Sequence, residues 1–494
     1  MRNNGRREKR GRREKRGRRE KRQKGTEQAM GFLNLKYSLE NVGNIDNAVI
    51  TIKRLTVIAG ENSTGKTFVT KSLYTILNSI YKNHYAEQLI IKYKELHESY
   101  NDLIDSLAGF TSKDKDFDDK FSQQSDDIKK LISSLFQYSF EEQEDAESMV
   151  QKSFEGYLNF IKSHFISQLK LKKFQKHKEE INELLEIAHD LVALASNRRE
   201  VIVKQINSHL ETGLKKNYQI TNLQTLIKRG EKDDLKFDIE GIGNVKIDQK
   251  SNIDFSFKTK GIQEVQNVQN IVFFDSPVYI KIRKALEKSK EKTSLWSWLS
   301  IDKEDKYLKG YPEYLEELYS YMDQEYIDVA DFDEISREIQ DIIAGKLNMT
   351  KGGDINYTDS DGGITPLSLT AMGISNIGLI DLLLRNNVIN EGSFLVMDEP
   401  EVHLHPEWQV VLAKILYKIA KKGANVIIAT HSLDMLKTFQ VLLKQDEEEE
   451  AQAIISINKM PYSREFSQKT EIEKVSTVLD DLSGPFYELY MQDL

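Results

Sequence analysis

Hydrophobic and polar positions change their period several times along the chain, and each change marks an element. Phe32–Leu39 and Ala48–Ile52 alternate and read as half-buried strands, with Asn44 and Asp46 supplying a turn between them. Leu55–Ala59 (LTVIA) is apolar throughout, as in a short strand buried on both faces. Phe68–Ile80 (FVTKSLYTILNSI) then takes up helical spacing, and from 86 to about 228 that period persists. Leu89, Tyr93, Leu96, Tyr100, Leu103 and Leu107 recur at spacings of 4-3-4-3-4, the seam of a coiled coil or helical hairpin. After a polar break at Thr111–Lys120, further helices are marked by Phe154, Tyr157, Leu158, Ile161 and Phe165, and by Ile181, Leu184, Leu185, Ala188 and Leu191. No proline precedes Pro277, so long helices run uninterrupted here. The aromatic stripe of this stretch reads as core packing, with a partner-binding surface as the alternative.

Alternation returns at Leu235–Ile239, Val245–Ile247 and Ile253–Phe257, the pattern of an antiparallel meander. Ile271–Phe274 (IVFF) is a buried strand that ends at Asp275-Ser276-Pro277. Residues 278–345 read as helical, with Trp296 and Trp298 in an amphipathic segment and Ile335, Ile339, Ile342 and Ile343 on one face. Gly- and Asp-rich residues 351–363 mark a hairpin or loop, and a helix is expected over Asn376–Leu384. Phe394–Met397 and Asn425–Thr430 are two more buried strands; the first closes on Asp398-Glu399, the second on His431-Ser432. A strand at Ile454–Ile457 and a terminal helix follow. The predicted class is α/β, a mixed sheet flanked by helices with an antiparallel β subdomain and a large inserted helical arm. The expected segments are a basic tail at 1–29, the first part of the head at 31–85, the helical insertion at 86–230 and the rest of the head at 231–494.

Composition narrows what these elements do. At 494 residues the chain exceeds one ordinary domain. It has no cysteine, which excludes disulfides and thiolate metal or redox sites and suits a reducing cytoplasm, the expected location. No run of about eighteen apolar residues is present, so no membrane span is expected. The N-terminus is basic but lacks the apolar core of a secretory signal. Residues 1–24 hold fourteen Lys/Arg and three Glu, including GRREKR three times in succession; they carry +11 of a total of −8, leaving −19 for the remainder. So acidic a body is no generic nucleic-acid binder, and any DNA contact needs a local basic patch. The repeats read as a polybasic arm that touches nucleic acid, as a disordered repeat or as a read-through of upstream sequence, with Met30 the expected start. Asp446–Glu450 (DEEEE) reads as a solvated loop or helix end, or as a contact for a basic partner.

Candidate chemistry starts at Gly60-Glu61-Asn62-Ser63-Thr64-Gly65-Lys66-Thr67. This stretch matches the P-loop pattern in full and stands at a strand-to-helix turn, where backbone N–H groups, unobstructed at glycines, wrap polyphosphate at the positive end of a helix. Lys66 is expected to reach the β/γ-phosphates of ATP and Thr67 to hold Mg²⁺, with Phe68 closing the nucleotide-contacting set. Asp398 ends a buried strand and is placed to support Mg²⁺; Glu399, next to it, is placed to orient or deprotonate the attacking water, because phosphoryl transfer needs both a metal and a positioned acceptor. His431 at its strand end can hydrogen-bond a γ-phosphate oxygen.

GENSTGKT, DEPEVHLHPEWQ and IIATHS together resemble the ABC-type ATPase heads of the RecF, SMC and overcoming-lysogenization-defect group, and in particular a bacterial branch with an E-P-E-x-x-L-H-P motif, here Glu399 to Pro406. The resemblance covers about 31–80 and 235–460. It implies two heads in head-to-tail contact, in a homodimer or higher oligomer. Each P-loop would be capped by the partner's signature helix, with His403 to Pro406 at the seam. The family motif also accounts for Glu401, His403 and His405, which lack a third ligand as a metal site. Two departures stand out. The signature corresponds to Leu369–Ser375, where Gly373 keeps a close backbone approach but Ala371 replaces the family serine, leaving Thr370 or Ser375 to take the contact. The lid glutamine after IVFF is missing, and Gln263, Gln266 and Gln269 are weak substitutes.

The resemblance further implies a stand-alone ATPase. The 63 residues after His431 are too few for the nuclease domain some relatives append. Similar ATPases of the PARIS, Septu and retron-associated anti-phage systems work with a separate nuclease or toxin. The expected function is an ATP-hydrolysing sensor or scaffold that oligomerises and controls such an effector. The alternative is a DNA-binding repair or chromosome-maintenance ATPase; a transporter ATPase fits less well.

Overall fold

The alternating residues near the start form a hairpin of β1 (Leu35–Val42) and β2 (Ile45–Ile52), in which Tyr37 and Leu39 stand opposite Ile50 and Ala48, all buried. The computed structural model describes residues 35–107, 115–136, 140–170, 172–281, 312–323, 332–350, 353–445 and 448–492. Within them β3 (Leu55–Ala59), β4 (Leu235–Ile239), β5 (Gly243–Ile247), β6 (Ile253–Phe257) and β7 (Ile271–Phe274) follow in order. Then come β8 (Gly345–Met349), β9 (Ile355–Asp359), β10 (Ile364–Pro366), β11 (Phe394–Asp398), β12 (Asn425–Thr430) and β13 (Ile455–Lys459).

These strands build three sheets. An antiparallel sheet has the order β2-β1-β4-β5-β6, so the predicted meander joins the first hairpin. A small antiparallel sheet, β10-β9-β8, occupies the Gly/Asp-rich region. The third, β13-β3-β12-β11-β7, is parallel throughout. Its strands β3, β7, β11 and β12 are buried at every position, as continuous apolar runs require when helices cover both faces of a sheet. The helices Lys66–Tyr81, Met372–Arg385, Pro406–Lys421 and Leu433–Gln445 belong to this layer. The fold is the expected α/β head with parallel and antiparallel sheets and an inserted helical arm.

The chain falls into two compact units. One contains the three sheets and comprises residues up to Asn78, Leu210–Glu264 and Val268–Leu494; the other is Ser79–His209 with Val265–Asn267. The helical unit begins inside the helix Lys66–Tyr81 and ends inside Arg198–Tyr218. Its helices His84–Leu107, Lys115–Leu135, Phe140–Leu169 and Lys178–Ser196 bury the predicted seam at Leu89, Tyr93, Leu96, Tyr100 and Leu103. Aromatic rings fill its centre, with Tyr100 stacked on Phe121 at 3.7 Å between centroids and Phe117 stacked on Phe160 at 5.0 Å. These contacts make core of the aromatic stripe.

Several details differ from the pattern. The polar stretch at Thr111–Lys120 is helical from Lys115, and residues 108–114 lie outside the described residues. Phe32, Trp296 and Trp298 lie outside them too. The helix Asp333–Ile343 buries Ile335, Ile339 and Ile343 but leaves Ile342 partly exposed, one residue round the helix from the buried stripe. The helix expected at Asn376 begins earlier, at Met372.

Candidate functional site

The P-loop spans the turn from β3 into the helix Lys66–Tyr81. Gly60 has φ +153° and lies so close to the chain that a Cβ would stand 2.2 Å from the carbonyl oxygen of Met460, so no other residue fits. Gly65 has φ +97°, and a Cβ there would run into Ile45 and Asn44. The Asn44 side chain donates to the Ser63 carbonyl, which ties the first hairpin to the loop. Lys66 is buried, and its ammonium donates to the carbonyls of Gly60 at 3.0 Å and Glu61 at 2.8 Å. Burial lowers its pKa, and the carboxylates of Glu399, Glu401 and Asp398 partly offset that.

Strand order brings the second half of the site to the loop. β12 lies between β3 and β11, with Thr430 beside Ala59 and Asp398 beside Ala429, so three strands end together at their carboxyl ends. Asp398 accepts a hydrogen bond from Thr70 Oγ1 at 3.4 Å. Burial pushes its carboxyl up to about 6; a hydrogen bond from Thr67 and the charge of Lys71 ease the rise, and Asp275 and Glu399 add to it. A hydroxyl and a buried carboxylate in contact are hard oxygen donors of the kind magnesium takes, and a cation there would favour the ionised carboxylate. Thr67 and Asp398 thus fit the metal expected of them.

Glu399 continues past β11 with its N–H on the Ala429 carbonyl at 2.9 Å, then turns through φ +48°. A left-handed conformation at a residue with a Cβ costs on the order of 1–3 kcal/mol and marks a position held by its surroundings. The turn closes with Val402 N–H on the Glu399 carbonyl and Leu404 N–H on that of Glu401. It returns Glu401 to the end of β12, where Glu401 Oε1 accepts from Thr430 Oγ1 at 2.7 Å and from the His431 N–H at 2.8 Å. His431 Nδ1 stands 3.2 Å from Glu401 Oε1 and 3.6 Å from Glu399 Oε1. An open cavity of about 390 Å³ lies alongside, lined by Glu401, His403, Gln409, His431, Ser432 and Asp434 among others.

Lys66, Thr67, Asp398, Glu399 and His431 therefore meet around one strand-end cluster. Gly373 and Ser375 sit in the first turn of the helix Met372–Arg385. Ser375 is fully buried and donates to the Ala371 carbonyl at 2.9 Å, while Thr370 donates to Pro366 at 3.0 Å. Neither hydroxyl is offered outward, because both satisfy nearby main-chain carbonyls. A Cβ on Gly373 would stand 3.1 Å from the Trp408 ring, which accounts for the glycine by packing. His405 caps the helix Pro406–Lys421, its Nδ1 accepting from the Glu407 N–H at 3.4 Å. Among the described residues no group of three His, Cys, Asp or Glu could hold a metal by itself.

One residue escaped the pattern. Asp275 follows β7, which pairs with β11 through Phe274 and Met397, and so stands beside Asp398. It accepts from Tyr314 OH at 2.9 Å and from the Ser276 N–H at 2.7 Å. Its signal is an apolar run closed by an acid, the same signal that marks Asp398. Gln266 is engaged elsewhere, donating to the Ile80 carbonyl at 3.2 Å.

A P-loop and a strand-end acid on a parallel sheet, separated by one strand, define a P-loop ATPase head. A family model described as AAA ATPase domain matches residues 36–436, and the chain belongs to that family. Solved structures similar to it include an SMC head bound to the C-winged helix domain of ScpA, with 9% identity, a TM-score of 0.34, and 82% of this chain and 90% of that chain covered. An Smc head with an extended coiled coil bound to the C-terminal domain of ScpA, from Pyrococcus furiosus, gives 10%, 0.34, 82% and 90%. The SMC head domain from Thermotoga maritima gives 10%, 0.32, 82% and 92%. No curated protein matches the chain.

Proposed function

We propose that the chain binds ATP with magnesium and hydrolyses it at a site shared between two copies, and that this cycle controls a separate effector protein. The observation that carries the chemistry is the meeting of Lys66, Asp398, Glu399 and His431 at the carboxyl ends of β3, β11 and β12. Residues Gly60–Thr67 and Phe68 bind the nucleotide, with Lys66 on its terminal phosphates. Thr67 and Asp398 hold magnesium, which supplies charge neutralisation of the phosphate oxygens. Glu399 takes a proton from the attacking water, and His431 donates a hydrogen bond to a phosphate oxygen. Gly373, at the start of its helix, caps the nucleotide of the second copy through its backbone; Ser375 supports that turn from inside.

The sensor or scaffold role rests on the E-P-E-x-x-L-H-P resemblance and on the division into two units, one carrying the ATPase site and the other a helical body with its own aromatic core. In this reading the effector is a nuclease or toxin of an anti-phage system. The acidic balance outside the basic tail weighs against DNA as the main partner.

The test is ATP turnover and molecular mass of wild-type protein and Glu399→Gln. The variant is expected to bind ATP, to hydrolyse it roughly 100-fold or more slowly, and to accumulate as a dimer or larger oligomer in ATP. A wild-type rate would remove Glu399 as base, and a monomer in saturating ATP would overturn the shared site. Pull-down of the ATP-loaded variant from its native host should recover a discrete second protein; tight duplex-DNA binding with DNA-stimulated turnover would replace the effector reading with a repair ATPase.

A further inference from the structure

Glu401 lies two residues beyond Glu399 and, though it lines the cavity, is almost wholly buried, at 5% exposure, whereas Glu399 is 36% exposed. That difference decides which carboxylate can meet a water, and it leaves Glu401 to be explained. Its Oε1 already accepts from Thr430 Oγ1 and the His431 N–H, and it is the nearer of the two carboxylates to His431 Nδ1. Its Oε2 is buried with no hydrogen-bond partner. Burying a carboxylate with one oxygen unsatisfied is costly, and a neutral acceptor would close the end of β12 at lower cost. The charge supports the buried Lys66 ammonium, and its place beside His431 points to a second use.

We propose that Glu401 is a positioning residue that acts through His431. His431 Nδ1 is buried without a hydrogen-bond partner and turned to the carboxylates of Glu401 at 3.2 Å and Glu399 at 3.6 Å, so their charge orients the ring through that nitrogen and leaves Nε2 for a phosphate oxygen. The surroundings fix the histidine from both sides. On one, Asn376 donates to the Pro400 carbonyl at 3.0 Å and steadies the turn that carries Glu401. On the other, Ser432 Oγ donates to Gln409 Oε1 at 2.5 Å while Gln409 Nε2 donates to the Leu404 carbonyl at 2.9 Å. The second glutamate of E-P-E thus links the strand end that carries the base to the strand end that carries the histidine.

This inference rests on the ATPase reading above, and a double-mutant cycle separates the two. Turnover and ATP affinity are measured for wild type, Glu401→Gln, His431→Ala and the double variant. Glu401→Gln keeps the shape and an acceptor for Thr430 but removes the charge. The expected result is a fall in kcat of roughly 10- to 100-fold, with KM changed less than about threefold and a further loss of under about twofold when added to His431→Ala. Losses that multiply would show that Glu401 works independently of His431 and overturn the proposal, as would a wild-type rate or an equal loss of ATP affinity in Glu401→Gln. Should that variant not fold, Glu401→Asp, which withdraws the charge by one methylene, is expected at an intermediate rate, and full activity in it would equally overturn the assignment. If His431→Ala were fully active while Glu399→Gln were not, the ATPase site would stand and the role of Glu401 would fall.

Discussion

At the carboxyl end of the parallel sheet, carboxylates, an ammonium and an imidazole converge without fully satisfying one another. Among the stacked rings of the helical unit, by contrast, neutral polar groups bond one another, with Ser125 Oγ joining Tyr93 OH at 2.7 Å and the His97 ring. There Tyr93 OH donates to the Ser125 carbonyl at 3.0 Å, and the His97 ring lies 4.5 Å from that of Tyr93, with burial lowering its pKa and favouring the neutral form. The one buried hydroxyl left over near them, Tyr157 OH, carries no charge. In the head, Asp398 is pushed up to about 6, Glu401 buries an unpartnered oxygen, and Glu399 holds a left-handed φ. Unresolved charge at a strand end suits a site that receives a charged ligand, whereas a neutral, stacked interior is a support.

The sharpest way to break this contrast is Lys66→Ala. Removing the buried ammonium is expected to weaken ATP binding by roughly 100-fold or more, read by fluorescent-nucleotide titration, without lowering the stability of the helical unit in a limited-proteolysis assay. Retained affinity would show that the loop does not carry the phosphates.

Phe121→Ala tests the other side. Phe121 stacks on Tyr100 and touches Phe117, Tyr157 and His97, so its loss should destabilise the helical unit by about 3–5 kcal/mol in denaturant unfolding. ATP affinity should stay within about twofold of wild type if support and site are separable. A joint loss would merge them.

Asp398→Asn is expected to stabilise the nucleotide-free protein. A carboxyl whose pKa rises on folding binds more protons in the folded state, so stability is highest below its unfolded value of 3.8 and declines as pH rises through about 6. Moving a carboxyl from 3.8 to about 6 is worth at most roughly 3 kcal/mol. The variant's advantage in thermal unfolding should therefore be full above pH 7, shrink between 6 and 4, and vanish below that. An advantage that did not change with pH would trace to packing. Magnesium-dependent turnover should be lost at the same time.

The parts of this molecule legible in the sequence are those where a side chain's type fixes its surroundings. Short continuous apolar runs such as Leu55–Ala59 and Phe394–Met397, bounded by turn residues, read as strands buried on both faces, and the 4-3-4-3 seam from Leu89 to Leu103 as a helix with one buried stripe. What could not be read depends on register between distant segments. Asp275 faces Asp398 because β7 pairs with β11 across more than a hundred residues, and Glu401 reaches His431 because a turn at Glu399 doubles back beneath β12. Ile342 failed for a local reason, since one step round a helix separates an exposed position from a buried one; the hydroxyl of Ser375, in a first turn, bonds its own main chain.

Ser375→Ala carries the smallest expected effect and sharpens the contrast most finely. The serine is fully buried, and its hydroxyl donates to the Ala371 carbonyl, which the Ser375 N–H also occupies at 2.9 Å. Deleting the hydroxyl leaves that carbonyl satisfied, so the net cost is about 1 kcal/mol or less, and the better helix propensity of alanine offsets part of it. Turnover and the ATP-induced rise in molecular mass should each change less than about threefold. A tenfold loss of turnover with unchanged stability would mean that the hydroxyl leaves Ala371 for a phosphate when two copies meet. In that case the signature turn would share the character of the strand ends, with a buried polar group held for the ligand, and would no longer resemble the helical unit, where such groups are spent on the fold.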